Sequence, residues 1–273
     1  MSYILSQGHN DLERNRLKNI SNFMRPFVDR VLRDSALTSG KHCLDVGCGY
    51  GDSSMMLGNY VGQTGSVSFV DNDTTTLEIA KKELAMQKQT VYIPLSACDL
   101  VNVDYVDDQY DYVFCRNVLI HQTDPIRFIN KLYEKIKPGG ILCVVECDMN
   151  NSSNPHSEVI ERYNNVVTSL WHAEGLDPNI GDSLYSYFST LFEGENIRTV
   201  STSLKSPNFL NGIANSADCL NGIVDLYSSL LPRLTSSNLS SKAEYDKWYQ
   251  DLTHMPPIKE LILERITGIW AIK

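Results

Sequence analysis

The sequence lacks an excess of basic residues: its 24 Lys and Arg are outnumbered by 33 Asp and Glu, and its formal net charge is −9. Proteins whose main partner is a nucleic acid need clustered Lys and Arg to contact phosphates, so we expect no nucleic-acid partner. Long apolar runs are missing too, since none approaches the roughly 18 residues of a membrane-spanning helix. The polar residues 1–21 contain no apolar core of a signal peptide. We therefore expect a cytoplasmic protein with no membrane partner.

Paired cysteines are also missing. The seven cysteines are an odd number, lie mostly in apolar segments and include no CxxC pair of the kind that binds zinc. This pattern argues against a disulfide framework and indicates reduced thiols in the core. Cys48, which lies inside a glycine-rich segment, is the thiol best placed to line a ligand site.

The sequence does contain a regular alternation of strand-like and helix-like segments over residues 41–149. The strand-like segments are KHCLDVG, SVSFVD, TVYIPLSACD, YDYVFCRNVLIH and ILCVVECD, with helices predicted after the first, second and fourth of them and a PGG turn before the last. Each right-handed crossover between parallel strands lays a helix on the sheet, so this order predicts a doubly wound α/β fold. Helical periodicity over residues 10–36 predicts one or two helices before the first strand.

The pattern is looser after residue 149. Residues 155–176 and 181–194 have helical periodicity, and NIRTVSTSLKS predicts a strand. Two further helices are predicted on either side of the Ser-rich turn TSSNLSS. The β-branched and aromatic segment ITGIWAIK predicts a strand at the end of the sequence.

The segment HCLDVGCGYGDSS, residues 42–54, spaces three glycines two residues apart between a predicted strand and a predicted helix. Glycine lets the backbone approach a ligand closely, and the amides at a helix N-terminus point towards an anionic or carboxylate group. The spacing G-x-G-x-G differs from the G-x-G-x-x-G of dinucleotide-binding proteins. By itself, the loop fits an anionic ligand or a structural turn.

Acidic residues stand at the ends of three consecutive predicted strands. Asp45 precedes the first glycine, Asp71 closes SVSFVD, and Asp99 closes YIPLSACD. Singly, each is as easily a turn or cap residue, and Asn72 or Asp73 is placed to cap the helix that follows Asp71. Ligands of open α/β sheets bind along the carboxyl ends of the strands, so the three acids together predict a binding site at this edge.

The segments LDVGCGYG, VSFVD, SACDL, YDYVFCRNVLIHQTDP and LYEKIKPGGILCVVECD resemble, in order and spacing, the successive motifs of class I S-adenosylmethionine-dependent methyltransferases. The resemblance is close over residues 41–149 and holds only in outline after residue 150. The lead-in YILSQGHNDLERNRLKNIS is similar to that of a small-molecule branch of the family. The resemblance implies a Rossmann-like, doubly wound, seven-stranded and mostly parallel sheet whose last strand is antiparallel.

A domain organisation is implied as well. We expect an N-terminal helical cap at residues 1–40, a methyltransferase core formed by residues 41–210 and 262–273, and a helical lid or substrate region at residues 211–261. The lid is thus an insertion before the last strand.

The resemblance implies that S-adenosylmethionine is the cofactor and that the glycine loop holds its methionine part. Gly47, Gly49 and Gly51 would flank this part, and Asp45 would anchor the loop and the amino group. Arg116 would contact the amino acid end of the cofactor. The alternative for this residue is an ordinary surface or loop arginine. Residues beside these positions that we also assign to the cofactor site are Cys48, Asn72, Cys98 and Asn117.

The nucleoside part of the cofactor is assigned to the next two strands. By resemblance, Asp71 would bind the ribose hydroxyls, and Asp99 with the backbone amide of Leu100 would hold the adenine. Tyr3 and Arg14 would close over the cofactor from the N-terminal segment, although ordinary helix and tail positions explain them equally well.

Methyl transfer is an in-line displacement, so a base is needed only where the acceptor must lose a proton. The resemblance puts His121 on the substrate side, and Glu146 and Asp148 end a strand near the expected acceptor pocket. These three are our candidate catalytic residues. Packing is the alternative for His121, and helix capping is the alternative for the two acids. No side-chain set matches the metal-dependent branch of the family, so we expect no metal.

The predicted helices between residues 150 and 255 are rich in aromatic side chains, which belong to the core or to a substrate lid. A lid of this composition favours a small, partly apolar or aromatic methyl acceptor, methylated at O, N or C. The alternatives are a protein or RNA methyltransferase, a nicotinamide-dependent oxidoreductase, and a protein of this fold that binds the cofactor without transferring methyl. A homodimer is also left open.

Overall fold

The computed structural model describes residues 11–96, 109–149, 158–207, 213–254 and 260–273. Seven strands form one sheet at its centre: β1 His42–Val46, β2 Ser66–Val70, β3 Val91–Pro94, β4 Tyr110–Arg116, β5 Ile136–Asp148, β6 Ile197–Pro207 and β7 Glu260–Ile272. Their spatial order is β3-β2-β1-β4-β5-β7-β6.

The sheet is parallel from β3 to β5 and changes direction only at β7 among the described strands. β1 pairs in parallel with β2 and β4, β2 with β3, and β4 with β5. β7 lies antiparallel between β5 and β6. The strand order reverses between β1 and β4, which creates a crevice at the carboxyl ends of these strands. The predicted doubly wound, mostly parallel sheet with an antiparallel last strand is confirmed.

Helices cover both faces of the sheet. They are α1 Asp11–Asp34, α2 Asp52–Val61, α3 Thr74–Ala85, α4 Pro125–Glu134, α5 Glu158–Ala173, α6 Ile180–Phe188, α7 Ile213–Ser236 and α8 Lys242–Thr253. Neighbouring residues of a strand point to opposite faces, so each strand contributes to two cores. Phe69 and Phe114 pack under α1, α2 and α3, whereas Val113 and Val144 pack under α4 to α8.

The N-terminal periodicity forms a single helix, α1, in agreement with the predicted one or two helices, and this helix continues through Pro26. Two other element boundaries differ from the sequence predictions. The PGG segment is not a separate turn, because β5 already begins at Ile136, and the Gly139 N–H donates to the Lys273 carbonyl at 2.8 Å. The last strand begins at Glu260 rather than near Ile266, since its first half pairs with β6 alone.

Helices α7 and α8 lie between β6 and β7 in the chain, where the sequence predicted a helical insertion. α7 packs against α1, α5 and α8. The division of the chain into a cap, a core and a lid stays a prediction. No helix in the described ranges combines the length and the apolar composition needed to cross a membrane.

Candidate functional site

The glycine loop leads from β1 into α2. Gly47, Gly49 and Gly51 have φ angles of 73°, 54° and 93°, a left-handed conformation that costs a residue with a side chain about 1–2 kcal/mol. The backbone N–H groups of Gly47 and Cys48 both donate to the Val70 carbonyl at 2.9 Å. The loop is therefore attached to the end of β2 as well as to β1.

Close packing explains why residue 47 is a glycine. A Cβ on Gly47 would lie 2.2 Å from Cγ2 of Val118, a buried residue of the segment that follows β4. A Cβ on Gly49 would meet no atom of the described residues within 4 Å. The loop is thus packed against the β4 side at Gly47 and open at Gly49, which leaves its exposed backbone accessible to a ligand.

Asp71, directly after β2, is only 5% exposed and connects two loops. Its Oδ2 accepts from the Gly49 N–H at 2.9 Å, and its Oδ1 accepts from the Asp73 N–H at 3.0 Å. Burial raises the pKa of Asp71, and these backbone N–H groups oppose the rise. Asp73 caps α3, because its side chain accepts from the Thr76 N–H at 2.6 Å. Asp71 is therefore available for another role.

Asp45 is a buried carboxyl with one unused oxygen. Ser54 Oγ donates to its Oδ2 at 2.6 Å, while its Oδ1 has no hydrogen-bond partner among the described residues. Burial raises the pKa of Asp45 to about 7, against the opposing effects of the Ser54 hydrogen bond and the Arg116 charge. Buried acceptors without a donor are rare and costly, so Asp45 is well suited to receive a hydrogen bond from a ligand.

Arg116 and Asn117 stand at the end of β4, beside β1 in the sheet. Both Nη atoms of Arg116 donate to Ser21 Oγ of α1 at 3.2 Å. The charges of Asp52 and Asp45 raise the pKa of Arg116, but burial outweighs them and lowers it. Oδ1 of Asn117 is a second buried acceptor for which the described residues supply no donor. One guanidinium and two buried acceptors suit a ligand that carries both a carboxylate and an ammonium group.

His121 ends a short 3-10 helix, Leu119–His121, that follows β4. Its ring centroid lies 6.4 Å from that of Trp171 in α5. Burial lowers the pKa of His121 to about 4, and the positive charges of Arg233 and Arg16 act in the same direction. The imidazole is therefore neutral at neutral pH. Residues from α1, α5 and α7 surround it.

Glu146 holds the segment after β4 in place. Its Oε1 accepts from the N–H groups of Val118 and Leu119, both at 2.8 Å. Burial raises the pKa of Glu146 to about 8 despite these hydrogen bonds. Its Oε2 has no partner within the described ranges. The contacts are those of a carboxyl that caps the helix Leu119–His121, and a catalytic role for Glu146 stays a prediction.

Asp148 connects β5 to β7 and to α6. Its Oδ2 accepts from Nε and Nη2 of Arg265 at 3.0 and 2.8 Å, and its Oδ1 accepts from the Asp182 N–H at 3.1 Å. Arg265 also pairs with the carboxylate of Asp182. Both oxygens of Asp148 are thus occupied by the protein, which favours a structural role.

The remaining predicted residues are spread more widely. Arg14 pairs with Glu83 of α3 and so connects α1 to α3. Cys48 is a buried free thiol, and Asn72 is exposed. Four predicted residues lie outside the described ranges: Tyr3, Cys98, Asp99 and Leu100.

The structure adds side chains that the sequence did not single out. Ser54 and Ser21 hold Asp45 and Arg116 from helices α2 and α1. Arg233 of α7 acts on His121 from more than 100 residues along the chain. No short motif connects such distant positions. Arg233 could nevertheless have been singled out as the one cationic residue in the apolar segment SSLLPRLT.

Comparison with known proteins is consistent with this geometry. A family model described as a methyltransferase domain matches residues 37–196. The demethylmenaquinone methyltransferase of Staphylococcus saprophyticus is 32% identical over 133 residues, which are 48% of this chain and 56% of that protein. The chain therefore matches little more than half the length of this curated relative.

Solved structures share the fold at low identity. Phosphoethanolamine N-methyltransferase 2 of Haemonchus contortus, in complex with phosphomonomethylethanolamine and S-adenosylhomocysteine, is 18% identical with a TM-score of 0.54 and covers 89% of this chain and 51% of its own. The [4+2]-cyclase SpnF is 17% identical with a TM-score of 0.54 and covers 91% of this chain and 80% of its own. At such identities the likeness concerns the fold alone.

Replacing Gly47 with Ala is expected to destabilise the protein more than replacing Gly49 with Ala. Both changes put a side chain at a positive φ angle, which costs about 1–2 kcal/mol. Gly47→Ala also forces its Cβ against Val118, which should cost a further ~1–3 kcal/mol. Urea unfolding followed by circular dichroism measures both free energies. If both variants lost the same free energy of unfolding, the Val118 side chain would have moved aside without cost.

Protonation of Glu146 is expected to make stability depend on pH. Its pKa rises from 4.5 to about 8 on folding, so between these values the folded protein keeps a proton that the unfolded chain has lost, and stability falls as pH rises. Glu146→Gln cannot ionise. The stability of this variant relative to the original protein should therefore increase by a few kcal/mol between about pH 5 and about pH 8, at about 1.4 kcal/mol per pKa unit.

Denaturant unfolding of both proteins across this pH range measures the difference. Glu193→Gln is the matched control, because the Glu193 side chain is exposed and its removal should leave the difference constant. If the stability difference between Glu146→Gln and the original protein were the same at every pH, as expected for the control, Glu146 would not be the residue that holds the buried proton.

Proposed function

The chain belongs to the class I S-adenosylmethionine-dependent methyltransferase family, and on this premise we propose that it transfers the methyl group of S-adenosylmethionine to a small, partly apolar or aromatic molecule. The observation that carries the proposal is the arrangement at the carboxyl ends of β1, β2 and β4. There an open glycine loop, tied to Asp71, adjoins two buried acceptors to which the described residues supply no donor, and the half-buried guanidinium of Arg116.

The residues at this edge fit the polar groups of the cofactor. Asp45 Oδ1 and Asn117 Oδ1, which have no donor among the described residues, would accept hydrogen bonds from its ammonium group. Arg116 would pair with its carboxylate. The open side of the loop at Gly49 would let the backbone approach this part closely. S-adenosylmethionine, when bound, supplies a methyl group made electrophilic by a sulfonium sulfur.

Asp71 would bind the ribose. A carboxylate offers about four acceptor positions. The N–H groups of Gly49 and Asp73 donate to it, and the Asn72 N–H also acts on it. The position that remains can accept from a ribose hydroxyl. We keep Asp99 and the Leu100 amide as the proposed adenine contacts, with Tyr3 and Arg14 closing over the cofactor.

We assign His121 the task of orienting the acceptor. An imidazole with a pKa of about 4 is a weak base, so it can accept a hydrogen bond from a hydroxyl or amine but removes few protons before transfer. A freshly methylated hydroxyl carries its positive charge on oxygen and is strongly acidic, so a weak base then suffices to take the proton. A methylated alkyl amine is a weakly acidic ammonium, which keeps its remaining protons at neutral pH and needs no base after transfer. Glu146 and Asp148 are assigned to holding the site together rather than to proton transfer.

The acceptor class is inferred from the helices that cover the site. Tyr163, Tyr227, Tyr245 and Trp248 pack on one another and connect α5, α7 and α8, with Tyr163 stacked on Trp248 at 5.8 Å. Trp171 of α5 lies beside His121. An aromatic side chain at this position favours a small organic acceptor, as does the resemblance to a relative named for demethylmenaquinone. A net charge of −9 argues against RNA.

Transfer of a labelled methyl group tests the proposal. The protein is incubated with S-adenosylmethionine labelled in the methyl group and with a fractionated metabolite extract. We expect the label to move into a small-molecule fraction as S-adenosylhomocysteine forms. Label in protein or RNA would contradict the acceptor class, and cofactor binding without transfer in any fraction would contradict the activity. Tight NAD binding without S-adenosylhomocysteine binding would contradict the cofactor.

Asp71→Asn is expected to weaken S-adenosylhomocysteine binding by about 1–3 kcal/mol, since the amide replaces one of the acceptor oxygens and leaves a buried donor unpaired. Isothermal titration calorimetry measures the affinity. Asp73→Asn is the matched control, because Asn is an equally good helix cap and should retain both affinity and stability. Unchanged affinity in Asp71→Asn would mean that Asp71 does not contact the cofactor.

A further inference from the structure

Arg233 is oriented by Glu174 so that one of its nitrogens faces away from the ion pair. Nε of Arg233 donates to Oε1 of Glu174 at 3.0 Å, and Nη2 donates to Oε2. This two-point contact fixes the plane of the guanidinium. The third nitrogen, Nη1, is buried and has no acceptor among the described residues. Nη1 is therefore a fixed, buried and charged donor to which the described residues offer no acceptor.

Trp171 supplies a second donor of the same kind. The side chain is 3% exposed, and its Nε1–H is buried without an acceptor in the described part of the chain. Trp171 and Glu174 are neighbours, because the Glu174 N–H donates to the Trp171 carbonyl at 3.1 Å at the end of α5. Trp248 differs, since its Nε1–H donates to the Val159 carbonyl at 2.8 Å.

Both donors belong to the surroundings of His121. The Trp171 ring lies 6.4 Å from the His121 ring. The charges that lower the pKa of His121 are those of Arg233 and of Arg16, itself 9% exposed on α1. Two cations, from α7 and α1, thus act on His121 in a protein that is acidic as a whole.

Leaving a buried donor without an acceptor destabilises the protein, and the effect is larger when the donor is charged. A bound group that offers oxygen acceptors and a negative charge removes this cost at both donors. We propose that the methyl acceptor carries a carboxylate, and that Nη1 of Arg233 and Nε1 of Trp171 bind it beside His121. Glu174 is a positioning residue for Arg233. This inference rests on the proposed function, since it names the acceptor's anionic group.

The indole N–H signals give a direct test. The chain has three tryptophans, so protein labelled with ¹⁵N in tryptophan gives three indole signals, and Trp171→Phe identifies the one from Trp171. Acetate, benzoate and the neutral benzamide are titrated into the protein saturated with S-adenosylhomocysteine. We expect the Trp171 signal to shift with the two carboxylates and much less with benzamide, while the Trp248 signal stays in place.

Arg233→Gln is expected to weaken carboxylate binding about tenfold or more, the loss that follows removal of a charged hydrogen bond. Arg162→Gln is the matched control, because it removes an exposed ion pair with Asp251 from the same group of helices and should have no effect. Thermal unfolding verifies that each variant is folded. Trp171→Phe, measured by calorimetry with benzoate, gives a second test that leaves the Arg233–Glu174 pair intact.

The inference is overturned if the Trp171 signal ignores both carboxylates, if benzamide shifts it equally, or if neither variant weakens benzoate binding. Calorimetry with S-adenosylhomocysteine separates this result from a failure of the proposed function. A protein that binds S-adenosylhomocysteine but shows no carboxylate response contradicts the anion site alone. A protein that does not bind S-adenosylhomocysteine contradicts the proposed function.

Discussion

Hydrogen bonds from backbone N–H groups to buried carboxyl groups hold the ligand-facing edge of the sheet together. Asp71 accepts from the Gly49 N–H, and Glu146 accepts from the N–H groups of Val118 and Leu119. The loops after β1 and β4 are thereby attached to the strands beside them, and Val118 fills the space that Gly47 leaves open. Each loop is positioned by the other, so the shape of the site depends on both carboxyl groups remaining buried.

Burying polar groups away from water costs free energy, and a ligand that pairs with these groups recovers part of it. Desolvation raises the pKa of Asp45 and Glu146 and lowers that of His121. A low-dielectric environment also strengthens any hydrogen bond that a ligand makes there. The buried oxygens of Asp45 and Asn117, to which the described part of the chain supplies no donor, therefore gain more from a ligand than the same groups would gain on the surface. Burial therefore both fixes the positions of these side chains and strengthens their hydrogen bonds to a ligand.

The sequence predicted the sheet well because strand and helix periodicity are local, and helices follow β1, β2 and β4. It misjudged the start of β7, because the segment ELILER, three consecutive apolar residues between charged ones, is fixed as a strand only by its pairing with β6. The glycine loop was recognisable for the same local reason. Arg233 and Ser21 were not, since each acts on a side chain that another part of the chain contributes.

The position of β7 has a consequence for how the protein could have diversified. Pro207 and Glu260 are register partners, so the residues between β6 and β7 leave and return at adjacent points of one strand pair. A segment whose two ends already meet can change in length or composition with little effect on the sheet, because loop-closure entropy varies slowly with length. Substitutions within α7 and α8 can therefore change the surroundings of His121 without shifting the register of β6 and β7.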